Sequence, residues 1–143
     1  MHRRSFIGLA GSLAIAGPAT ARTLEIRQGD SGRFYTTATV ERRTIDVLID
    51  TGASFTVLTH EDAERVGVAM GRLVFDVQVS TINGVANNAR IQLNEVRVGH
   101  IVVDNVPALV TPRGALNISL IGMTFLSRIR SYRIRDRVLI LDD

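Results

Sequence analysis

Asp50, Thr51 and Gly52 interrupt an apolar stretch, with Val47-Leu48-Ile49 before them and Phe55-Thr56-Val57-Leu58 soon after. The order sets one carboxylate at the end of a buried strand, on a loop held by rigid neighbours. A carboxylate so placed can take a proton from a reacting group or give one to it. Asp-Thr-Gly is also an acceptable turn, and average residue usage yields it by chance in roughly 3% of chains this long. Two features set this copy apart. The residues before it are all apolar, which a surface turn does not need. Far downstream, Leu120-Ile121-Gly122 supplies a second apolar pair followed by glycine.

Other chemistries find little support. The 143-residue chain has no cysteine, which excludes disulfides, thiolate metal sites and a cysteine nucleophile. Its three histidines, His2, His60 and His100, are scattered; His60 reads as an exposed helix start and His100 as a turn residue. No Gly-x-Ser-x-Gly, His-Glu-x-x-His or phosphate-cradling glycine loop occurs. The net charge is +3, carried by arginine alone and spread along the chain. Aromatics make up only 5% of residues and tryptophan is absent, so the stacking side chains of a nucleic-acid binder are few. Arg128, Arg130, Arg133, Arg135 and Arg137 read as a solvated face, with anionic lipid or acidic substrate as the alternative.

The elements that must hold Asp50 are mostly short strands. Arg33–Val40, Thr44–Ile49 and Phe55–Leu58 have strand composition, and Glu41-Arg42-Arg43 joins the first two without the favoured Asn-Gly chemistry. Thr59 is a helix N-cap, with Glu61 and Asp62 in the first turn and Gly67 as the stop, which predicts a helix over 60–66. Strands follow over 74–81 and 88–98, with Asn83-Gly84 in a connection longer than two residues. Ile101–Val110 holds two strand-like pieces around Asn105. Phe125, Leu126 and Ile129 sit at helical spacing within 123–130, and Arg137–Leu141 closes the chain as an apolar edge strand. Many short strands with two small helices predict an all-β barrel or sandwich.

With these elements in place the chain resembles the retropepsin-like aspartic proteases, in particular the bacterial single-domain group that is exported or membrane-anchored. The resemblance covers roughly 32–141. It rests on Gly32-Arg33-Phe34-Tyr35, Asp50-Thr51-Gly52-Ala53-Ser54, Asn83-Gly84, Val106-Pro107-Ala108-Leu109-Val110 and Leu120-Ile121-Gly122-Met123-Thr124-Phe125-Leu126. It implies a small closed acid-protease barrel, half of a pepsin-like bilobal fold, active as a homodimer on peptide or protein substrates. No cofactor, metal or nucleic acid is implied.

The resemblance also implies roles. Asp50 is the catalytic carboxylate, and two copies about 3 Å apart share one proton and serve as base and acid. One Asp-Thr-Gly per chain then requires a symmetric dimer. Thr51 ties the two loops across the axis. Gly52 admits close approach, Ala53 matches the viral enzymes, and Ser54 bonds the loop or the substrate main chain, or simply the turn. Leu120 and Ile121 brace the loop from below, and Gly122 permits tight passage. Residues 79–89 form a flap, or an ordinary surface hairpin, with Ile82, Asn83 and Gly84 at its tip. A helix over 60–66 and Met123 in place of an arginine depart from the viral pattern, so substrate contacts do not transfer from those enzymes.

Residues 1–21 have the layout of a bacterial secretory signal. Arg3 and Arg4 form the basic region, Phe6–Ala16 the apolar run, and Ala19-Thr20-Ala21 the cleavage site. Arg3-Arg4-Ser5-Phe6-Ile7 resembles the twin-arginine export motif, with the general secretory route as the alternative. Cleavage leaves a periplasmic or exported domain, residues 22–143, and lowers the net charge from +3 to +1. Without cleavage the segment anchors the domain to the inner membrane. Two functions remain open at this point: an aspartic endopeptidase, and a noncatalytic peptide-binding or dimerisation module on the same barrel. A structural, membrane-tethered domain is a third reading if the signal stays uncut.

Overall fold

The computed structural model describes residues 22–143; the predicted signal or anchor over 1–21, and His2 with it, lies outside the described residues. Ten strands are present: β1 (Thr23–Arg27), β2 (Phe34–Val40), β3 (Arg43–Ile49), β4 (Thr56–Leu58), β5 (Val77–Thr81), β6 (Gly84–Val98), β7 (Ile101–Val110), β8 (Ser119–Ile121), β9 (Ser131–Arg135) and β10 (Val138–Asp142). Helices α1 (His60–Arg65) and α2 (Met123–Leu126) and a 3-10 turn at Met70–Arg72 complete the chain.

Six strands close a barrel in the order β2-β3-β8-β4-β7-β6, with β6 returning to β2 through Thr39↔Arg97 and Val40↔Val96. The fold is therefore the expected all-β closed barrel with two short helices. Alternation along β2, β3, β6 and β7 sends one face inward, and Val40, Val47, Val96 and Val106 are completely buried. Phe125 of α2 is also fully buried and joins this core; burying such a ring contributes about 1.5–3 kcal/mol. The seam is fastened by Glu41. Its carboxylate accepts from the Glu95 amide (2.8 Å) and from Asn94 Nδ2 (2.8 Å).

Several boundaries differ from the sequence expectations. The flap connection is two residues, Ile82-Asn83, because Thr81 already pairs with Gly84. Thr81 Oγ1 donates to the Gly84 carbonyl (2.8 Å), and Gly84 takes a φ of +116°, which favours glycine. Residues 101–110 form one strand rather than two; Asn105 adopts a positive φ of 54° while the β6–β7 register continues past it. Helix α2 stops at Leu126, four residues short of the predicted end. β10 is no free edge. It lies between β1 and β9 in a separate three-stranded sheet, which corrects the edge-strand expectation. The arginine stretch is partly occupied: Arg128 donates to the Asp104 and Asn105 carbonyls, and Arg133 pairs with Asp142.

The N-cap prediction holds. Thr59 Oγ1 accepts from the Asp62 amide (3.1 Å), and Gly67 ends the turn at a φ of +90°. His60 heads α1 half-buried rather than exposed, 3.4 Å from Glu64. No described helix is long and apolar enough to cross a membrane.

Candidate active site

The Asp50 loop hangs between β3 and β4, and β8 fixes it from below. β3 runs parallel to β8 with Ile49 opposite Ile121, and the Asp50 amide donates to the Ile121 carbonyl (2.9 Å). The loop then folds on itself. The Gly52 amide donates to Asp50 Oδ1 (2.9 Å), and the Ala53 amide to the Asp50 carbonyl (3.2 Å). One carboxylate oxygen is thus oriented by a backbone donor. Asp50 is half-buried, while Thr51, Gly52 and Ser54 are exposed.

Gly122 explains how the loop sits so close. A Cβ on Gly122 would lie 2.6 Å from the Phe55 carbonyl carbon and 2.7 Å from the Ala53 oxygen, and would collide with the Phe55 oxygen. Its own φ is −108°, open to any residue, so the demand for glycine is steric. The Met123 amide donates to the Ala53 carbonyl (2.8 Å) across the same contact. Of the predicted brace residues, Ile121 and Gly122 contact the predicted loop, while Leu120 pairs with Leu48 and Val57 and lines the groove.

A second brace escaped the sequence reading. Thr56, fully buried, accepts from the Gly122 amide through Oγ1 (3.3 Å), and its own amide donates to Thr124 Oγ1 (2.9 Å). The two hydroxyls are 3.1 Å apart. Two threonines following an apolar strand and a glycine were the only available signal.

β6 serves both the barrel and the hairpin. Its residues 89–98 pair with β7, and residues 84–88 pair with β5 and project beyond the barrel. Between this hairpin and the loop lies a groove of about 780 Å³. Ala53, Ser54, Val57, Leu109 and Leu120 line one side, and Val79, Asn83 and Gly84 the hairpin side. The predicted flap residues Asn83 and Gly84 therefore face the same space as Gly52, Ala53 and Ser54. Ile82 is fully exposed at the tip, and neither it nor Asp50 is among the groove-lining residues. Arg90 lies 5.8 Å from the centre of the Phe55 ring, a cation–π distance. Among the described residues, no group of three or more side chains able to ligate a metal gathers.

Comparison with known proteins agrees with this geometry. The sequence profile of the family described as "gag-polyprotein putative aspartyl protease" matches residues 36–128. A protein of Sinorhizobium sp., described as an uncharacterized protein in the cobV 5′ region, is 44% identical over 113 residues, which is 79% of this chain and 48% of that protein. An uncharacterized protein of Rickettsia prowazekii is 40% identical over 116 residues, 81% of this chain and 49% of that protein. The chain spans about half the length of these curated relatives. The crystal structure of a retropepsin-like aspartic protease from Rickettsia conorii superposes with a TM-score of 0.77 at 36% identity, covering 86% of this chain and 92% of that one. EIAV protease complexed with the inhibitor HBY-793 shares the fold, with a TM-score of 0.59 at 18% identity over 72% of this chain and 93% of that one. A barrel with one Asp-Thr-Gly loop seated on Gly122, matched in profile and in structure, makes this chain a member of the retropepsin-like aspartic protease family.

Proposed function

We propose that the protein is an aspartic endopeptidase whose catalytic pair is Asp50 from each of two chains. The observation that carries this reading is the intact Asp50-Thr51-Gly52 loop. It is fixed from below by Ile121, Gly122 and Thr56, and it borders a peptide-sized groove. Peptide hydrolysis needs a base to take a proton from water and an acid to protonate the leaving nitrogen. Two carboxylates about 3 Å apart hold a single proton between them, so one is base while the other is acid. The ionised carboxylate takes a proton from water as the water oxygen bonds the peptide carbonyl carbon. The protonated one donates to nitrogen as the C–N bond breaks, and one acid and one amine leave.

The chain carries one such loop, so two chains complete the site, with Thr51 exposed where the loops would meet. The β5–β6 hairpin acts as the flap, and Ile82 at its tip awaits cover. Residues 1–21 direct export, or hold the domain at the inner membrane. Lysines in place of Arg3 and Arg4 should block export by the twin-arginine route; undiminished export would assign another path.

A noncatalytic peptide-binding or dimerisation module on the same barrel is the second reading, since a fold does not by itself confer activity. Asp50→Asn separates the two. The amide is nearly isosteric and cannot act as base, so cleavage should vanish while the melting temperature is kept. Cleavage at the wild-type rate would overturn the assignment.

A further inference from the structure

The groove contains a feature that peptide hydrolysis does not use. Its floor is apolar where Val57, Leu109 and Leu120 meet, since β4 pairs with both β7 and β8 at these residues. One wall is not. Asn88 and Thr111 both line the groove, and only 4% and 3% of their surfaces are exposed. The β6–β7 register runs Arg90↔Leu109 and Ala89↔Val110. Asn88 and Thr111 are the next residues beyond the end of this ladder, and both line the groove with Leu109.

Asn88 is anomalous there. Three buried side-chain polar atoms lack a hydrogen bond among the described residues: His60 Nδ1, His100 Nε2 and Asn88 Oδ1. The two histidine nitrogens each face a carboxylate, at 3.4 Å from Glu64 and 3.9 Å from Asp143. Asn88 Oδ1 needs a donor and has none among the described residues. Buried polar groups almost always find partners, and an unpartnered carboxamide oxygen on a groove wall is one that a ligand's donor can satisfy. Its terminal torsion is soft, so the carboxamide can turn oxygen or nitrogen toward an occupant. The Thr111 hydroxyl beside it can donate or accept.

We propose that Asn88 and Thr111 form a polar subsite that selects peptides with an uncharged hydrogen-bonding side chain (Asn, Gln, Ser or Thr) at one position of an otherwise apolar segment. A hydrogen-bonding site discriminates against a ligand that cannot pair with it, because its buried groups then stay unmatched. This inference deepens the peptidase reading and rests on it for the groove's occupant.

The test uses peptide libraries varied one position at a time, read twice. The wild-type chain is scored by cleavage and the Asp50→Asn chain by binding to the immobilised peptides. Both readouts should show, at one position, a preference on the order of tenfold for these polar residues over Leu and Val. Asn88→Leu should abolish or reverse that preference, and Thr111→Val should weaken it, which covers the case in which the leucine variant does not fold. No polar preference in either readout, or an unchanged profile in both variants, overturns the subsite. Polar-selective binding without cleavage by the wild-type chain would overturn the peptidase reading alone.

Discussion

Gly122 and Phe55 meet backbone to backbone, with no room for a methyl group between them. The contact locks the strand after the Asp50 loop onto the turn that opens α2, and it sets the height of the loop above the barrel. Gly122→Ala should therefore force the two segments apart. Overpacking of this kind costs about 1–3 kcal/mol, and the displaced loop should lose peptidase activity as well. Urea unfolding and peptide cleavage measure both. An alanine variant with unchanged midpoint and rate would contradict the contact.

The Thr56 hydroxyl should be worth more than its size suggests. Thr56→Val keeps the shape but leaves the buried Gly122 amide without its acceptor. Such an orphan costs about 1–3 kcal/mol. Thr124→Val removes the acceptor of the Thr56 amide. A double-mutant cycle should show coupling, because the hydroxyls also meet each other. Strict additivity would mean the brace is not one unit.

Acid should loosen the three-stranded sheet through Asp142. Hydrogen bonds from Ser131 foremost, then Thr23 and Arg133, hold its carboxyl down to about 2. A carboxylate with a depressed folded pKa contributes fully above its unfolded value and loses that contribution as pH falls through the folded one. The window here runs from about 3.8 down to about 2. Asp142→Asn should melt lower than wild type near neutral pH, and the gap should close across that window. A gap that stays constant through it would remove Asp142 as its source.

If two chains complete the site as proposed, dilution should abolish peptide cleavage. Activity per chain should fall once the concentration drops below the dimer dissociation constant, and Thr51→Ala should move that fall to higher concentration. Sedimentation beside a peptidase assay reads both quantities. A constant rate per chain where only monomer sediments would direct the search to a second acid within one chain, Asp46 and Asp104 first.

The site was more legible in the sequence than the frame around it. Asp50-Thr51-Gly52 and Leu120-Ile121-Gly122 stand out because apolar strands flank them and only glycine tolerates the contact at Gly122. Thr56 and Thr124 act through a hydroxyl contact across 68 residues, which leaves no periodicity to read. Asn88 sits in a strand where a polar residue suggests an outward face. β9 went unseen because no residue in it is buried, so alternation carries no signal. Phe125, Leu126 and Ile129 all pack on the core, yet the chain leaves the helix at Leu126, and spacing alone cannot distinguish a helix from a turn that buries the same residues. The hairpin turns at Glu41-Arg42 and Asp136-Arg137 adopt positive φ at both positions without glycine or asparagine, so turn chemistry gave no warning of either.

Mixing wild-type chains with Asp50→Asn chains tests the shared site most directly. The total concentration is held well above the dimer dissociation constant, and the chains are allowed to exchange. If each active centre needs Asp50 from both chains, cleavage follows the square of the wild-type fraction, and an equal mixture retains about one quarter of the rate. A rate that falls in simple proportion, to about one half, would mean that each chain carries a complete site of its own, contradicting the account.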